Sequence, residues 1–196
     1  MNQKTAMKLF GLLGLLMLLS CGYADRHRNS SLCEQALVDS LEVRVQDSLF
    51  SNVHYSRSQL LEALTQTQDS LVYYRLLALY GKTFFVSSDF DSILYYNRRV
   101  KEFSRNASQS SESLQSPRWN DVLSDVYNIE GNVWMQLNRP DSAIIDYKKA
   151  YGYRLEGKKL HLLPDICINI ADAYLHRSDL AHTASYYRRA LFLCDS

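Results

Sequence analysis

Binding a metal on a helix takes two ligands about one turn apart. No two of the five histidines, His27, His54, His161, His176 and His182, stand at that spacing. His176 and His182 flank a turn, where surface histidines are common. Cys33, Cys167 and Cys194 fit neither a CxxC nor a zinc pattern. A Cys167–Cys194 bond is conceivable across an antiparallel helix pair, but buried small apolar side chains are the better reading. There is no GxSxG, P-loop or GxGxxG, and the carboxylates are scattered, so no acid/base pair stands out. The sequence therefore predicts no catalytic residue, no metal and no cofactor. Its other chemical features include the double bases Arg98-Arg99, Lys148-Lys149 and Arg188-Arg189, which recur at matching places along the chain. Adjacent helical residues point about 100° apart, so each pair reads as a solvated helix face. A basic stripe touching anionic headgroups is the sharper alternative.

The fourth cysteine has an address around it. Lys4 and Lys8 precede an apolar run from Leu9 to Leu19, and Ser20-Cys21 follows. Eleven apolar residues are too few to cross a hydrocarbon core of ~30 Å. The segment Leu18-Leu19-Ser20-Cys21 resembles a bacterial lipobox. That resemblance implies a signal peptide over 1–20, a lipidated Cys21 and a tether over 21–31. Several acyl chains would anchor the chain firmly to a membrane of the cell envelope.

Elements able to position a site are helical. Gly (7) and Pro (3) are scarce, which argues against many short strands. Three segments align: Asp91–Val100, Asp141–Ala150 and Ala181–Ala190, at steps of 50 and 40 residues. The same offsets superpose Gly81, Gly131 and Ala171, then Phe84, Trp134 and Tyr174, in the preceding helices. A small residue lets one helix approach its partner, and an aromatic three residues on shares its face. The second helix offers Ala143, Tyr147 and Ala150, or Thr183, Tyr187 and Ala190, as one apolar stripe. Ser87-Ser88-Asp89, Asn138-Arg139-Pro140 and Arg177-Ser178-Asp179 read as the turns between them, with Pro140 suited to a first-turn position.

These residues resemble the tetratricopeptide (TPR) pattern of small residue, aromatic, alanine, aromatic, alanine. Gly131, Trp134, Ala143, Tyr147 and Ala150 match best. Ile93, Asn97 and Val100 depart from it, and Glu130 occupies a usually apolar position. The resemblance implies an all-α, right-handed solenoid of antiparallel helix pairs over 69–194, with a loop at 105–117. Residues 32–68 read as two further helices, a degenerate repeat or a cap. It also implies a groove lined by the first helix of each pair: Arg75, Ala78 and Lys82; Asp125, Asn128, Asn132 and Gln136; Asp165, Ile168, Asn169 and Asp172. Asn128 and Asp165 stand where a clamp for a terminal carboxylate would need cations, so that clamp is rejected. An extended peptide or partner helix is expected instead.

Removing 1–20 leaves 20 bases against 21 acids, with no concentrated basic face for nucleic acid. Five Asp-Ser-apolar triplets, at Asp39, Asp47, Asp69, Asp91 and Asp141, resemble an O-glycosylation sequon of exported proteins. Their plainer reading is helix starts. The expected function is a membrane-anchored scaffold for a protein or peptide partner. A sensory segment of a longer signalling protein and a substrate-capturing lipoprotein of a nutrient-uptake system are the alternatives.

Overall fold

The computed structural model describes residues 36, 38–45, 47, 51–107 and 116–195. Cys21, Cys33, the apolar leader and the tether lie outside them. The described residues are all-α. Helix α1 takes in 36, 38–45 and 47, followed by α2 (Val53–Gln66), α3 (Ser70–Lys82), α4 (Phe90–Ala107), α5 (Pro117–Gln136), α6 (Pro140–Leu155), α7 (Leu163–His176) and α8 (Leu180–Cys194). Single 3₁₀ stretches follow α3 (Thr83–Ser87) and precede α7 (Leu160–Leu162). None of these helices is long and apolar enough to cross a membrane.

Neighbours in sequence are neighbours in space. α3 packs on α4, α5 on α6 and α7 on α8, while α6–α7 contacts join successive pairs. Helix α1 joins α2 and α3 through Val38, Leu41, Val45, Leu60, Val72 and Leu76. Helices α1 and α2 thus make a first helix pair, and the described residues form a solenoid-like stack of four pairs.

The repeat is stricter in the backbone than in the sequence. Ser88, Asn138 and Ser178 are the non-glycine residues with positive φ among those described, at 53°, 55° and 57°. They fall at the same steps of 50 and 40. Each closes a helix in the same way: the next amide (Asp89, Arg139, Asp179) donates back to the carbonyl of Phe84, Trp134 or Tyr174 at 3.2, 2.8 and 3.0 Å. That six-residue bond satisfies an orphan carbonyl and turns the chain into the second helix. Pro140 begins α6, and the Asp89 and Asp179 carboxylates accept from the amides of Ser92 and His182 at the starts of α4 and α8. Asp69 caps α3, and Asp91 and Asp141 sit in the first turns of α4 and α6, so three of the Asp-Ser triplets mark helix starts.

The small residues do what their spacing implied. A Cβ on Gly131 would lie 2.3 Å from Cε1 of Tyr147, and one on Gly81 would lie 2.9 Å from Cβ of Tyr96. Ile93, Ala143, Val100 and Ala150 are wholly buried at matching registers. Buried Glu130 is held by Lys101 of α4, whose Nζ donates to both carboxylate oxygens at 2.7 and 2.6 Å. Burial raises the Glu130 carboxyl above its ordinary value, against the pull of Lys101.

Two expectations need correction. Helix α4 runs through Ala107, into the stretch read as loop, because tertiary contacts outweigh its polar composition. Phe103 stacks on Tyr74 with centroids 4.0 Å apart, and Ser104 Oγ accepts from Trp119 Nε1 at 3.0 Å. Of the cysteines, Cys167 is buried as expected, but Cys194 is exposed; both are free thiols.

Candidate functional site

The registers of α3, α5 and α7 bring Arg75, Ala78, Lys82, Asp125, Asn128, Asn132 and Asp165 onto one cavity of about 640 Å³. That is within the usual size of a ligand pocket. Gln136, Ile168, Asn169 and Asp172 do not line it. Gln136 is exposed at the last residue of α5, and Ile168 is 39% exposed. Asn169 buttresses the wall from behind, its Nδ2 donating to Asn128 Oδ1 at 3.0 Å. Asp172 accepts the hydroxyl of Tyr187.

The rest of the wall was not read from the sequence. Helix α1 contributes Val38, Asp39, Glu42 and Val43, so it acts as the inner helix of the first pair. Its acidic face is stitched to the later pairs. Arg75 Nη2 meets Asp39 Oδ1 at 2.7 Å, Arg118 Nη1 meets Asp39 Oδ2 at 3.2 Å, and Lys159 is paired with Glu42. Burial alone would raise the Asp39 carboxyl; the hydrogen bond and charge of Arg75, helped by Arg118 and Lys159, bring it below its ordinary 3.8. Lys159 precedes α7, so its bond to α1 spans the cavity between the first and last helix pairs. An ion pair thereby bridges the inner face at that point.

A buried anchor holds the backbone that carries Lys159. Arg154, 1% exposed at the end of α6, donates through Nη1 to Asp121 Oδ1 at 2.7 Å and through Nη2 to Asp125. Asp121 in turn accepts the amides of Lys158 at 3.0 Å and Lys159 at 3.2 Å. One carboxylate thus fixes both the guanidinium and the backbone that presents Lys159. Gly157 permits it, since a Cβ there would lie 2.2 Å from Asp121 Oδ1.

Six bases (Arg75, Lys82, Arg118, Arg154, Lys158, Lys159) and five acids (Asp39, Glu42, Asp121, Asp125, Asp165) line the cavity. A wall so nearly balanced presents little net charge. Among the described residues Lys82 and Asp165 form no ion pair. Also among them, no group of three or more His, Cys, Asp or Glu residues is placed to hold a metal ion. His182 instead pairs with Asp179 at 2.8 Å and stacks on Tyr174.

Arg98-Arg99, Lys148-Lys149 and Arg188-Arg189 lie away from this cavity, with a tyrosine near the second base of each. Arg99 is over Tyr95 at 5.9 Å, Lys149 over Tyr127 at 5.0 Å and Arg189 over Tyr151 at 4.8 Å. Lys148 donates to the Tyr174 hydroxyl at 2.8 Å, which raises its ammonium above the ordinary lysine value.

No family model and no curated protein matches the chain. Among solved structures it is similar to the crystal structure of BtubC (BKLC) from P. vanneervenii, at 16% identity and a TM-score of 0.42, over 88% of this chain and 84% of that one.

Proposed function

We propose that this chain is a TPR-like scaffold, lipid-anchored in the bacterial cell envelope through Cys21, that holds a protein or peptide partner in the cup formed by its inner helices. The observation carrying this reading is the convergence of α1, α3, α5 and α7 on one cavity whose wall keeps Lys82 and Asp165 outside the internal ion pairs. The shared registers of the small residues and of the three left-handed turns support the TPR-like assignment. The sequence at Leu18–Cys21 supports the anchor.

Two experiments test the two halves. Intact mass of the native protein from its own membranes should include residues 21–196 plus acyl groups, and Cys21→Ser should move it to the soluble fraction. An unmodified amino terminus at another residue ends the anchor. A photo-crosslinking residue at Asn132 should trap one defined partner, the yield falling at least about tenfold with Lys82→Glu plus Asp165→Lys. Undiminished trapping by that variant ends the cup as the binding surface. The sensory-segment reading draws on α8, where Leu180, Leu191 and Phe192 are 68%, 66% and 72% exposed and offer a surface for further protein.

A further inference from the structure

The paired bases on the outer helices α4, α6 and α8 have no part in the cup, since none of the six lines the cavity. Arg98, Lys148 and Arg188 stand at one register of the three helices and are exposed, with Arg99, Lys149 and Arg189 beside them. Each has a large exposed apolar side chain within one turn. Tyr95 lies three residues before Arg98 and is 55% exposed, Ile145 three before Lys148 at 57%, and Phe192 four after Arg188 at 72%. Residues three or four apart share a helix face, so base and apolar group point the same way. Two tyrosines set the helices side by side. Tyr127 of α5 lies beneath both Lys101 of α4 and Lys149 of α6, at 5.2 and 5.0 Å, and Tyr151 of α6 lies beneath Arg189 of α8 at 4.8 Å.

The positive charge on this side is mostly unmatched within the fold. Of the six bases only Lys149 meets a carboxylate among the described residues, that of Asp146 at 3.0 Å. Lys148 donates to the Tyr174 hydroxyl and Arg188 Nε to the carbonyl of Ala184, neutral acceptors that leave the charge in place. Acids on the same exposed stripes are Asp91, Glu102 and Asp141, and Arg177 meets Asp141 at 3.0 Å. Setting aside the two matched groups leaves five bases against Asp91 and Glu102. One turn further on, Arg105 and Asp195 balance each other.

Bases alone would suit any polyanion, but a soluble one leaves Tyr95, Ile145 and Phe192 in water. A lipid surface uses both kinds of group: the bases approach headgroup phosphates while the apolar side chains enter the boundary beneath them. We propose that the outer face of α4, α6 and α8 docks on a bilayer surface carrying anionic phosphate headgroups. The cup then faces away from the lipid. This contact is independent of Cys21 and of what the cup holds.

The test uses residues 21–196 with Cys21→Ser, which keeps every described residue and removes both the acyl chains and the apolar leader. Co-sedimentation is measured with vesicles of phosphatidylglycerol and phosphatidylcholine in equal parts, and of phosphatidylcholine alone. The protein should bind the anionic vesicles only, and less as salt rises from about 0.05 to about 0.5 M and screening shortens. A base near such a surface multiplies binding about fivefold, so Arg98→Gln, Lys148→Gln and Arg188→Gln together should lose on the order of a hundredfold. Arg44→Gln, Arg139→Gln and Lys158→Gln together remove the same charge elsewhere and should lose less than about threefold. Ile145→Ser plus Phe192→Ser should lose about tenfold with the salt dependence kept. No binding at low salt, or equal binding to neutral vesicles, overturns the proposal. So do equal losses in the two triple variants, which would mean that net charge alone acts. Full binding by Ile145→Ser plus Phe192→Ser also overturns it, and the stripe would then meet a soluble polyanion or an acidic protein.

Discussion

Two glycines in adjacent helices should respond to the same substitution with opposite sign. Gly131 in α5 faces the ring of Tyr147, and an added Cβ would lie 2.3, 2.4 and 2.9 Å from Cε1, Cδ1 and Cζ. The ring has nowhere to go. It is 2% exposed and its hydroxyl is fixed on Asn132. Forcing a methyl group into such a site costs about 1–3 kcal/mol. Displacing the ring from Asn132 costs about 1 kcal/mol more, and the better helix propensity of alanine returns about 1 kcal/mol. Gly131→Ala should therefore destabilise the protein by about 1–3 kcal/mol. Gly152 in α6 has no atom within 4 Å of its would-be Cβ and is exposed. Gly152→Ala should keep only the propensity gain, about 0.5–1 kcal/mol of stabilisation.

Urea unfolding followed by far-ultraviolet circular dichroism reads both. With an m-value of about 2 kcal/mol/M the two midpoints should differ by about 1–2 M. Gly131→Ala combined with Tyr147→Leu should be less destabilised than the sum of the single changes, because removing the ring removes the clash. If Gly131→Ala is as stable as the parent protein, α5 and α6 do not approach as described, and the reasoning about small residues at 81, 131 and 171 fails with it.

Arg154→Met should cost about 3–5 kcal/mol, because it strands the Asp121 carboxylate, and adding Asp121→Asn should recover part of that loss. Lys159→Glu should speed amide exchange over 38–45, and Glu42→Lys in the same chain should restore protection, with a net stability change below about 1 kcal/mol. Asp39 titrates below its ordinary 3.8 in the folded protein, so its contribution is present above that value and lost as pH falls through the folded one. The stability gap between the parent and Asp39→Asn should accordingly close between pH 5 and about pH 2, and a gap unchanged over that range contradicts the pairing with Arg75 and Arg118. A thiol reagent should modify Cys194 in the native state and Cys167 only on unfolding, since burial hides the Cys167 sulfur and raises its thiol; peptide mapping of the labelled protein decides it.

The helix pairs were legible because their signals are local. Small residue, aromatic and apolar stripe recur at fixed offsets, and burial at Gly131, Ala143 and Ala150 follows from them. The turns were legible only as polar stretches. Ser88 and Ser178 adopt a backbone conformation that serine seldom visits, so residue type gave no sign that they match Asn138. The cup was half legible. Inner-helix registers identified Arg75, Lys82, Asp125, Asn128, Asn132 and Asp165, but register carries no information about curvature. Curvature decides that Lys159 reaches Glu42 across 117 residues and that Asp172 falls outside the cavity. Arg154 was invisible for a related reason. A base in the last turn of a helix ordinarily faces water and the helix dipole, and only the approach of Asp121 and Asp125 from α5 turns it inward.

Departures from the repeat were visible as mismatches, and the structure gives them a physical consequence. Glu130, at a position the pattern makes apolar, acquires a dedicated partner in Lys101, so that mismatch is repaired within the fold. Thr183, in the place of an alanine, returns its hydroxyl to the carbonyl of Asp179 at 2.8 Å and is likewise satisfied. Asn97 stands at the register of Tyr147 and Tyr187 and is met only in part: its Nδ2 donates to the carbonyl of Val126 at 3.2 Å, while its Oδ1 has no partner among the described residues.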